Sequence, residues 1–191
     1  AGGVSDLGSL RDIRLIRKGK TVATVDIYDF ILNGKSPDKI SLEEGDIIVV
    51  PAYDRLVAVT GNVKRPMTYE LRDGETVETV IEYAGGFAGN AYKDNIRVVR
   101  QNGKEYQVFT VDAPEYALFT LEDGDELTVG QMLDRYSNKL EIKGAVYRPG
   151  IYQLGEGVNT VAQLIAKADG LKGDAFTNRG LIHREREDLT L

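Results

Sequence analysis

The sequence contains no cysteine and a single histidine, His183. The absence of cysteine excludes disulfide bonds, thiolate catalysis and cysteine-ligated metal sites, and it is compatible with either a reducing or an oxidising compartment. A catalytic relay would place the histidine beside a nucleophile and an orienting carboxylate, whereas its neighbours here are Ile182 and Arg184. We therefore interpret His183 as a structural or solvent-facing residue, and the sequence predicts no catalytic residues.

Long apolar runs and an excess of positive charge are also missing. No run approaches the roughly 20 apolar residues that a membrane-spanning helix requires, and the first residues show no signal-peptide pattern. The formal net charge of -6 and the isoelectric point near 5.0 argue against nucleic acid as a partner. A composition of 42% hydrophobic and 28% charged residues is typical of a globular protein with a packed core.

An internal repeat is the main positive feature of the sequence. Segment 61–66, GNVKRP, recurs at 144–149 as GAVYRP, and the likeness continues through Tyr69 with Tyr152 and Leu71 with Leu154. An Ala-Gly-Gly element at 84–86 also occurs at 1–3. We interpret the repeat as tandem domains rather than a solenoid. The separation of the two copies, which start at residues 61 and 144, is long enough for a small domain with its own core. The predicted division is the C-terminal part of a first module at 1–54, a complete module at 55–135 and the front of a third module at 139–191, as in a fragment of a longer protein.

The complete module reads as a compact mixed fold. Segments 57–63 and 68–71 are predicted to form a hairpin, followed by a short helix whose apolar residues Val77, Val80, Ile81 and Ala84 lie on one face. Strands are then predicted at 96–100, 106–111 and 126–129, with an Asn-Gly turn between the first two. This order predicts an α+β, β-grasp-like module with a mixed sheet and one short packed helix.

In both copies of the repeat, residues typical of helix starts and ends mark the limits of the helix. The partial first unit contains strands that correspond to the last three strands of the complete module. Thr76 is placed to cap the first helix, Thr160 with Gln163 forms a capping-box pattern, and Gly85-Gly86 is typical of a helix end. The first unit repeats the strands at 12–17, 21–25 and 47–50, with one added helical turn predicted within 27–34.

Two patterns resemble ligand sites but have simpler explanations. The acidic clusters at 43–46 and 122–126 lack the alternating spacing of a calcium loop, so we interpret them as glycine turns that precede a strand. The glycines at 85, 86 and 89 follow a helix rather than open one, which favours a helix stop over a phosphate loop. The sequence predicts no metal site and no cofactor.

The repeated motif resembles a known family. Its residues are Gly-x-Val-x-Arg-Pro-x-x-Tyr-x-Leu, a Thr-Val helix start, the Ala-Gly-Gly ending and the Ile-Arg-Val-Val-Arg strand at 96–100. This pattern is similar to the SLBB domain, the soluble-ligand-binding β-grasp family, and tandem units of this kind resemble the periplasmic parts of bacterial outer-membrane polysaccharide export proteins.

The resemblance implies a noncatalytic periplasmic module of a capsular or exopolysaccharide export conduit. It further implies a homo-oligomer in the full-length protein, association with the outer membrane through parts absent from this chain, and two partners: the exported polysaccharide and an inner-membrane polymerisation or export component. The alternative that the residues leave open is a soluble small-ligand or glycan-binding β-grasp domain.

Candidate contact residues lie on the two repeated turns. They combine basic side chains with tyrosines, which can hydrogen-bond and stack on sugars. They are Lys64, Arg65, Tyr69, Arg148 and Tyr152. The competing interpretation is that the Arg-Pro pair shapes each turn and that each tyrosine covers the helix.

Overall fold

The computed structural model describes residues 3–35 and 40–184, which fall into two compact units, Ala1–Leu133 and Asp134–Leu191. The first unit contains two sheets, and the second contains a hairpin with a helix. None of the helices in the described part of the chain combines the length and the apolar character that crossing a membrane demands.

The first unit begins with a three-stranded sheet, here called the N-terminal sheet. Its strands are β1 (Ile13–Arg17), β2 (Lys20–Val25) and β3 (Ile47–Val49), in the order β2-β1-β3 with antiparallel neighbours. Helix α1 (Ile27–Asn33) connects β2 to β3. It begins where the Asp26 carboxylate accepts the Tyr28 amide and ends at Gly34, which has a φ of 64°. The helical turn predicted within 27–34 is therefore confirmed.

The five-stranded central sheet follows. It contains β4 (Arg55–Gly61), β5 (Thr68–Leu71), β6 (Ala91–Gln101), β7 (Tyr106–Asp112) and β8 (Glu126–Gln131), in the order β5-β4-β8-β6-β7. Strands β4 and β8 are parallel, with Val59 opposite Leu127, and the other neighbours are antiparallel. The last strand thus lies in the middle of the sheet, and the predicted α+β fold with a mixed, β-grasp-like sheet is confirmed.

Helix α2 (Val77–Tyr83) covers one face of the central sheet. The four residues predicted to form its apolar face, Val77, Val80, Ile81 and Ala84, are all buried in the main core. They join buried strand residues that alternate along the sheet, including Val57, Val59, Leu71, Ile96, Val98, Leu127 and Val129. Full burial of one such side chain contributes about 1.5–3 kcal/mol, so this cluster supplies most of the apolar stabilisation of the first unit.

The second unit repeats the first half of this layout. Strands β9 (Lys139–Ile142) and β10 (Gly150–Gln153) form an antiparallel hairpin, followed by helix α3 (Val161–Lys167). The Thr160 hydroxyl accepts the Gln163 amide at 3.3 Å, while the Gln163 side chain accepts the Thr160 amide at 3.0 Å. The predicted capping box of α3 is confirmed.

The elements correspond between the three parts of the chain. Strands β1, β2 and β3 match β6, β7 and β8, and the β9–β10 hairpin with α3 matches β4–β5 with α2. The predicted division into modules at 1–54, 55–135 and 139–191 agrees with this correspondence but stays a prediction, since the compact units separate only at Leu133 and Asp134.

Candidate functional site

The first predicted contact turn lies between β4 and β5 and is held against the end of α2. The backbone amide of Lys64 donates to the carbonyl of Gly86 at 3.0 Å, and the amide of Arg65 donates to the carbonyl of Ala84 at 3.0 Å. Carbonyls at the end of a helix have no partner within the helix, so the turn satisfies groups that would otherwise need water. The position of this turn is therefore fixed by the helix.

Tyr69 anchors the same turn from below. Its side chain is 4% exposed, and its hydroxyl donates to the carbonyl of Arg65 at 2.6 Å. Burial raises the pKa of this hydroxyl, so it stays protonated and continues to donate. The ring packs in the core, which leaves Lys64 and Arg65 as the exposed predicted residues of the turn.

The Arg65 side chain lies along the end of the helix. Its guanidinium donates to the carbonyl of Tyr83 at 3.1 Å, yet the residue remains exposed. A Cβ atom on Gly85 would lie 3.3 Å from Arg65 Nε, and Gly85 has a φ of 76°. Glycine at this position thus allows the left-handed backbone that ends the helix, and it leaves room for the Arg65 side chain. This agrees with the predicted helix stop.

The second predicted contact turn, between β9 and β10, repeats this geometry in the second unit. The Arg148 amide donates to the carbonyl of Ala168 at 3.1 Å, and the Tyr152 hydroxyl donates to the carbonyl of Arg148 at 2.6 Å. The Arg148 side chain is exposed and forms an ion pair with Asp169, which occupies the position of Gly85. The hydrogen bond to this carboxylate raises the pKa of the Arg148 guanidinium.

One candidate residue of the second turn was missed by the sequence analysis. Tyr147 is 60% exposed and lines a shallow recess of about 540 Å³ together with Arg148 and Asp169. In the first turn the matching position is Lys64. The sequence signal for Tyr147 is an aromatic residue directly before the arginine of the turn. The prediction chose Tyr152 instead, because a tyrosine occurs at that position in both copies of the repeat.

The five predicted residues therefore fall into two structural classes. Lys64, Arg65 and Arg148 present exposed cationic groups, which can donate charge-assisted hydrogen bonds to carboxylates and to hydroxyls. Tyr69 and Tyr152 donate their hydroxyls to the turn backbone. The turns thus combine a rigid backbone with exposed basic side chains.

The first acidic cluster is part of an arginine-centred ion pair in the N-terminal sheet. The Arg17 guanidinium donates to both carboxylate oxygens of Asp46 at 2.8 Å and to Glu43 at 2.5 Å. The Asp46 carboxylate also accepts the Glu43 amide at 2.9 Å. The Arg17 hydrogen bond, followed by that of the amide, lowers the pKa of Asp46 to about 2.

The second acidic cluster repeats the arrangement in the central sheet. Arg100 donates to the two carboxylate oxygens of Asp125 at 2.9 and 2.7 Å and to Glu122 at 2.6 Å. Asp125 is completely buried. The predicted glycine turns are present, and the arginine partner is the part that sequence reasoning missed. Within residues 3–35 and 40–184, no group of acidic or histidine side chains is arranged to hold a metal ion.

A buried arginine joins the N-terminal sheet to the central sheet. The Arg11 guanidinium donates to Asp26 at 3.2 Å, to Glu75 at 2.6 Å and to the backbone carbonyl of Glu70 at 3.2 Å. Arg11 and Asp26 flank β1 and β2, whereas Glu70 and Glu75 lie in β5 and just before α2. The two carboxylate partners are 15 and 64 residues away in the sequence, so no local pattern predicts this junction.

Two tyrosines enclose this arginine. The Arg11 Cζ atom lies 4.8 Å from the centroid of Tyr28 and 5.2 Å from that of Tyr83, and the two rings meet edge to face at 5.3 Å. The Tyr83 hydroxyl donates to Glu75 at 2.7 Å. Burial and this hydrogen bond raise the pKa of Tyr83 to about 12. Burial alone would raise the pKa of Glu75, but the hydrogen bonds from Arg11, Arg72 and Tyr83 lower it, so the carboxylate carries the charge.

His183 lies outside these groups. It is exposed and belongs to no helix or strand, in line with the predicted solvent-facing role.

Comparison with known proteins connects the first copy of the repeated motif to a family. Residues 56–109 match the SLBB domain model. Two sequences of the polysialic acid transport protein KpsD of Escherichia coli are each 33% identical over 152 residues, which is 79% of this chain and 25% of theirs. The EPS I polysaccharide export outer membrane protein EpsA of Ralstonia solanacearum is 33% identical over 132 residues, 66% of this chain and 35% of that protein. The chain thus spans about a quarter to a third of the length of these relatives.

Proposed function

Because this chain contains an SLBB domain and is a relative of bacterial polysaccharide export proteins, we propose that it is a noncatalytic periplasmic module of a capsular or exopolysaccharide export conduit. The polymer would contact the two basic turns through Lys64, Arg65 and Arg148, with Tyr152 and Tyr147 flanking the second turn. Tyr69 would support the first turn from beneath.

The observation that carries this proposal is that two turns of the same construction present basic side chains on an acidic protein. The formal net charge of -6 disfavours the approach of an anionic polymer to the protein as a whole, and the basic side chains of the turns would attract it locally. A transport pathway requires contacts that are strong enough to admit a substrate and weak enough to release it. A few exposed cationic groups on a turn meet that requirement, and two similar weak sites add their effects along one polymer chain.

The noncatalytic role is supported by how the acidic side chains are used. Asp46, Asp125 and Glu75 are each held by an arginine, and the pKa values of Asp46 and Glu75 are lowered rather than raised. A general acid for glycan hydrolysis would require a carboxyl group with a raised pKa. The names of the relatives describe transport and export.

The proposed function also includes an oligomeric assembly and a partner at the inner membrane. We propose that the full-length protein is a homo-oligomer associated with the outer membrane and that it receives polymer from an inner-membrane polymerisation or export component. The names of the relatives support the location and the cargo class, since one is described as an outer membrane protein and the names refer to polysialic acid and to polysaccharide.

A titration with polymer of defined charge tests the role of the turns. We expect the chain to bind polysialic acid, an anionic polymer, weakly and in a salt-dependent manner, and to bind neutral dextran less. The substitutions Arg65→Gln and Arg148→Gln keep the turn backbone and remove the charge, so together they should reduce binding by about tenfold. Chemical-shift perturbation by nuclear magnetic resonance reports both affinity and folding.

Arg97→Gln provides the matched control. Arg97 is an exposed arginine of the first unit that lies on β6 and belongs to neither turn, and its removal changes the net charge by the same amount as either single turn substitution. Binding that falls as much in Arg97→Gln as in Arg65→Gln or Arg148→Gln alone would indicate a general charge effect and would contradict a role for the turns. Unchanged binding in the double turn variant would contradict it as well.

A candidate location for the alternative, a small-ligand site, is a recess of about 370 Å³ at the junction of the two sheets in the first unit. Its volume is at the lower end of ligand pockets, which are mostly apolar. Its walls include Asp12, Asp54, Asp73 and Arg72. This charged lining favours the turns over the recess as the principal contact.

A further inference from the structure

The two turns have the same backbone arrangement but differ in the charge of their side chains. The amide of Lys64 donates to Gly86 at 3.0 Å, and the amide of Tyr147, at the corresponding position, donates to Gly170 at 3.2 Å. Three corresponding side-chain positions hold Lys64, Arg65 and Gly85 in the first turn and Tyr147, Arg148 and Asp169 in the second. The first set carries two positive charges, whereas the second is formally neutral because a carboxylate offsets the arginine.

The complete module shows that these turn positions are exposed when all five strands are present. Lys64 and Arg65 face solvent although β6, β7 and β8 complete the central sheet beside them. Tyr147 and Arg148 occupy the corresponding positions and are likewise exposed. Their exposure is therefore a property of the turn itself and does not depend on how much of the module surrounds it.

The Arg148–Asp169 pair offers a donor and an acceptor side by side. The Arg148 Nε atom donates to the Asp169 carboxylate, and both side chains are more than half exposed. Within residues 3–35 and 40–184, the terminal nitrogens of this guanidinium have no further partner, so they can donate to a ligand. The carboxylate can accept only. A sugar hydroxyl both donates and accepts, so neighbouring hydroxyls of one sugar ring match such a pair.

Tyr147 adds an apolar surface to this pair. Its side chain is 60% exposed and lines the recess of about 540 Å³ together with Arg148 and Asp169. The face of an aromatic ring packs against the flat C–H face of a sugar ring, while polar groups at the edge bind its hydroxyls. The first turn has a lysine at this position and therefore offers no such surface.

Asp169 occupies a backbone conformation that favours glycine. Its φ is 60°, and Gly85 in the first turn has a φ of 76°. Residues with a Cβ atom are uncommon in the left-handed region, and those that occur there cluster at sites where the side chain has a role. The role that the structure offers here is the pairing with Arg148 at the edge of the recess.

We propose that the second turn binds an uncharged sugar ring, which stacks on Tyr147 and forms hydrogen bonds with Arg148 and Asp169, whereas the first turn binds acidic groups. This inference rests on the proposed function, in which both turns contact one polymer, and it adds that each turn recognises a different chemical feature. Polysialic acid presents hydroxyls as well as carboxylates, so both turns contact it.

A titration with cellohexaose, an uncharged glycan with flat ring faces, tests the inference by nuclear magnetic resonance. We expect chemical-shift changes at residues 144–149 and 168–170 and none at 61–66. Raising the sodium chloride concentration to about 0.5 M should leave the affinity unchanged, because salt screens only interactions between charges. Tyr147→Ala should weaken binding by about tenfold, whereas Tyr147→Phe, which keeps the ring, should retain it.

Two further variants separate the stacking surface from general effects. Tyr106→Ala removes a tyrosine of β7 that is 69% exposed and belongs to neither turn, and it should leave the binding of cellohexaose unchanged. The double substitution Tyr147→Lys with Asp169→Gly gives the second turn the residues of the first. It should abolish the response to cellohexaose and strengthen the salt-dependent binding of polysialic acid.

The two probes distinguish failure of this inference from failure of the proposed function. No response of the second turn to cellohexaose, equal responses of both turns, or unchanged affinity in folded Tyr147→Ala would overturn the inference. If polysialic acid still shifts both turns in that case, the proposed function stands. If cellohexaose shifts only the second turn and polysialic acid shifts neither, the sugar site stands and the proposed contact with an anionic polymer fails. Should Tyr147→Ala be unfolded, the location of the shifts in the unmodified chain decides.

Discussion

The Asp125 carboxylate is buried completely, and the Arg100 guanidinium supplies two of its hydrogen bonds. Burying a charge is unfavourable unless a partner of opposite charge compensates for the lost hydration. Arg100 also lies over Phe109 and Phe119, with its Cζ atom 5.4 Å from each ring centroid. The arginine therefore stabilises both a charge and an aromatic cluster.

Removal of Arg100 is expected to destabilise the first unit strongly. Arg100→Gln leaves the Asp125 charge in the core without its partner, and breaking a buried pair in this way costs about 3–5 kcal/mol. The control is Arg14→Gln, which removes an exposed arginine paired with Asp12 on the neighbouring sheet, and its effect should be small. Urea unfolding monitored by circular dichroism measures both. A similar decrease in the free energy of unfolding in the two variants would contradict the importance of burial for the Arg100–Asp125 pair.

The Arg17–Asp46 pair predicts a dependence of stability on pH. Because the folded-state pKa of Asp46 is lowered from 3.8 to about 2, its contribution is present above the unfolded pKa and is lost as the pH falls through the folded value. The urea midpoint should therefore decrease from about pH 5 to about pH 2. Arg17→Gln should reduce that decrease, whereas Arg97→Gln should leave it unchanged. A slope that is the same in all three proteins would show that this pair does not control acid sensitivity.

At the scale of elements, α2 and α3 have the same length and the same type of start but differ in how much they bury. Helix α2 has three buried residues and α3 has none. The difference lies in the strands available to each helix, since α2 faces a five-stranded sheet and α3 follows a two-stranded hairpin. Stability of the helices therefore comes mainly from packing rather than from the caps.

Truncation of one apolar residue in each of the two helices is expected to give unequal effects. Ile81→Ala creates a cavity in the core of the first unit and should cost about 2–4 kcal/mol. Val161→Ala, on the exposed start of α3, should change stability by less than about 0.5 kcal/mol. Chemical unfolding followed at each unit by nuclear magnetic resonance separates the two effects. A neutral Ile81→Ala would contradict the packing of α2 on the central sheet.

The elements that the sequence predicted are those marked by local signals. Apolar spacing at Val77, Val80 and Ile81 located α2, and the Asn102-Gly103 pair located the β6–β7 turn. Two features escaped prediction because they depend on distant residues. Sequence spacing does not predict that Arg11 donates a hydrogen bond to Glu75, nor that the Tyr69 hydroxyl donates one to the Arg65 carbonyl. A strand tyrosine is compatible with either a core or a binding role, and only its hydrogen-bond partner and burial distinguish them.

At the scale of the whole molecule, the two compact units are joined through an exposed segment. Residues 134–138 form no helix or strand and are exposed throughout. Segments of this kind are preferred sites of proteolytic cleavage. The connection is therefore expected to be the first part of the described chain that a protease cuts.

Limited proteolysis is expected to release the first unit intact. Trypsin should cleave after Arg135 before it cleaves after Arg11 or Arg100, because those two arginines are held in buried ion pairs. Mass spectrometry identifies the fragments, and the fragment that ends at Arg135 should retain the circular dichroism spectrum of a folded sheet. Early cleavage after Arg11 or Arg100 would contradict the stability of the first unit.

The parallel contact of β4 with β8 also determines when the central sheet can form. Strand β8 is the last of the five in the chain but lies between β4 and β6. A nascent chain that has not reached Glu126 therefore holds two separate hairpins, β4–β5 and β6–β7, with no strand to join them. Loop closure over this separation is slow compared with local contacts. The central sheet must consequently assemble late, in a single step that waits for its final strand.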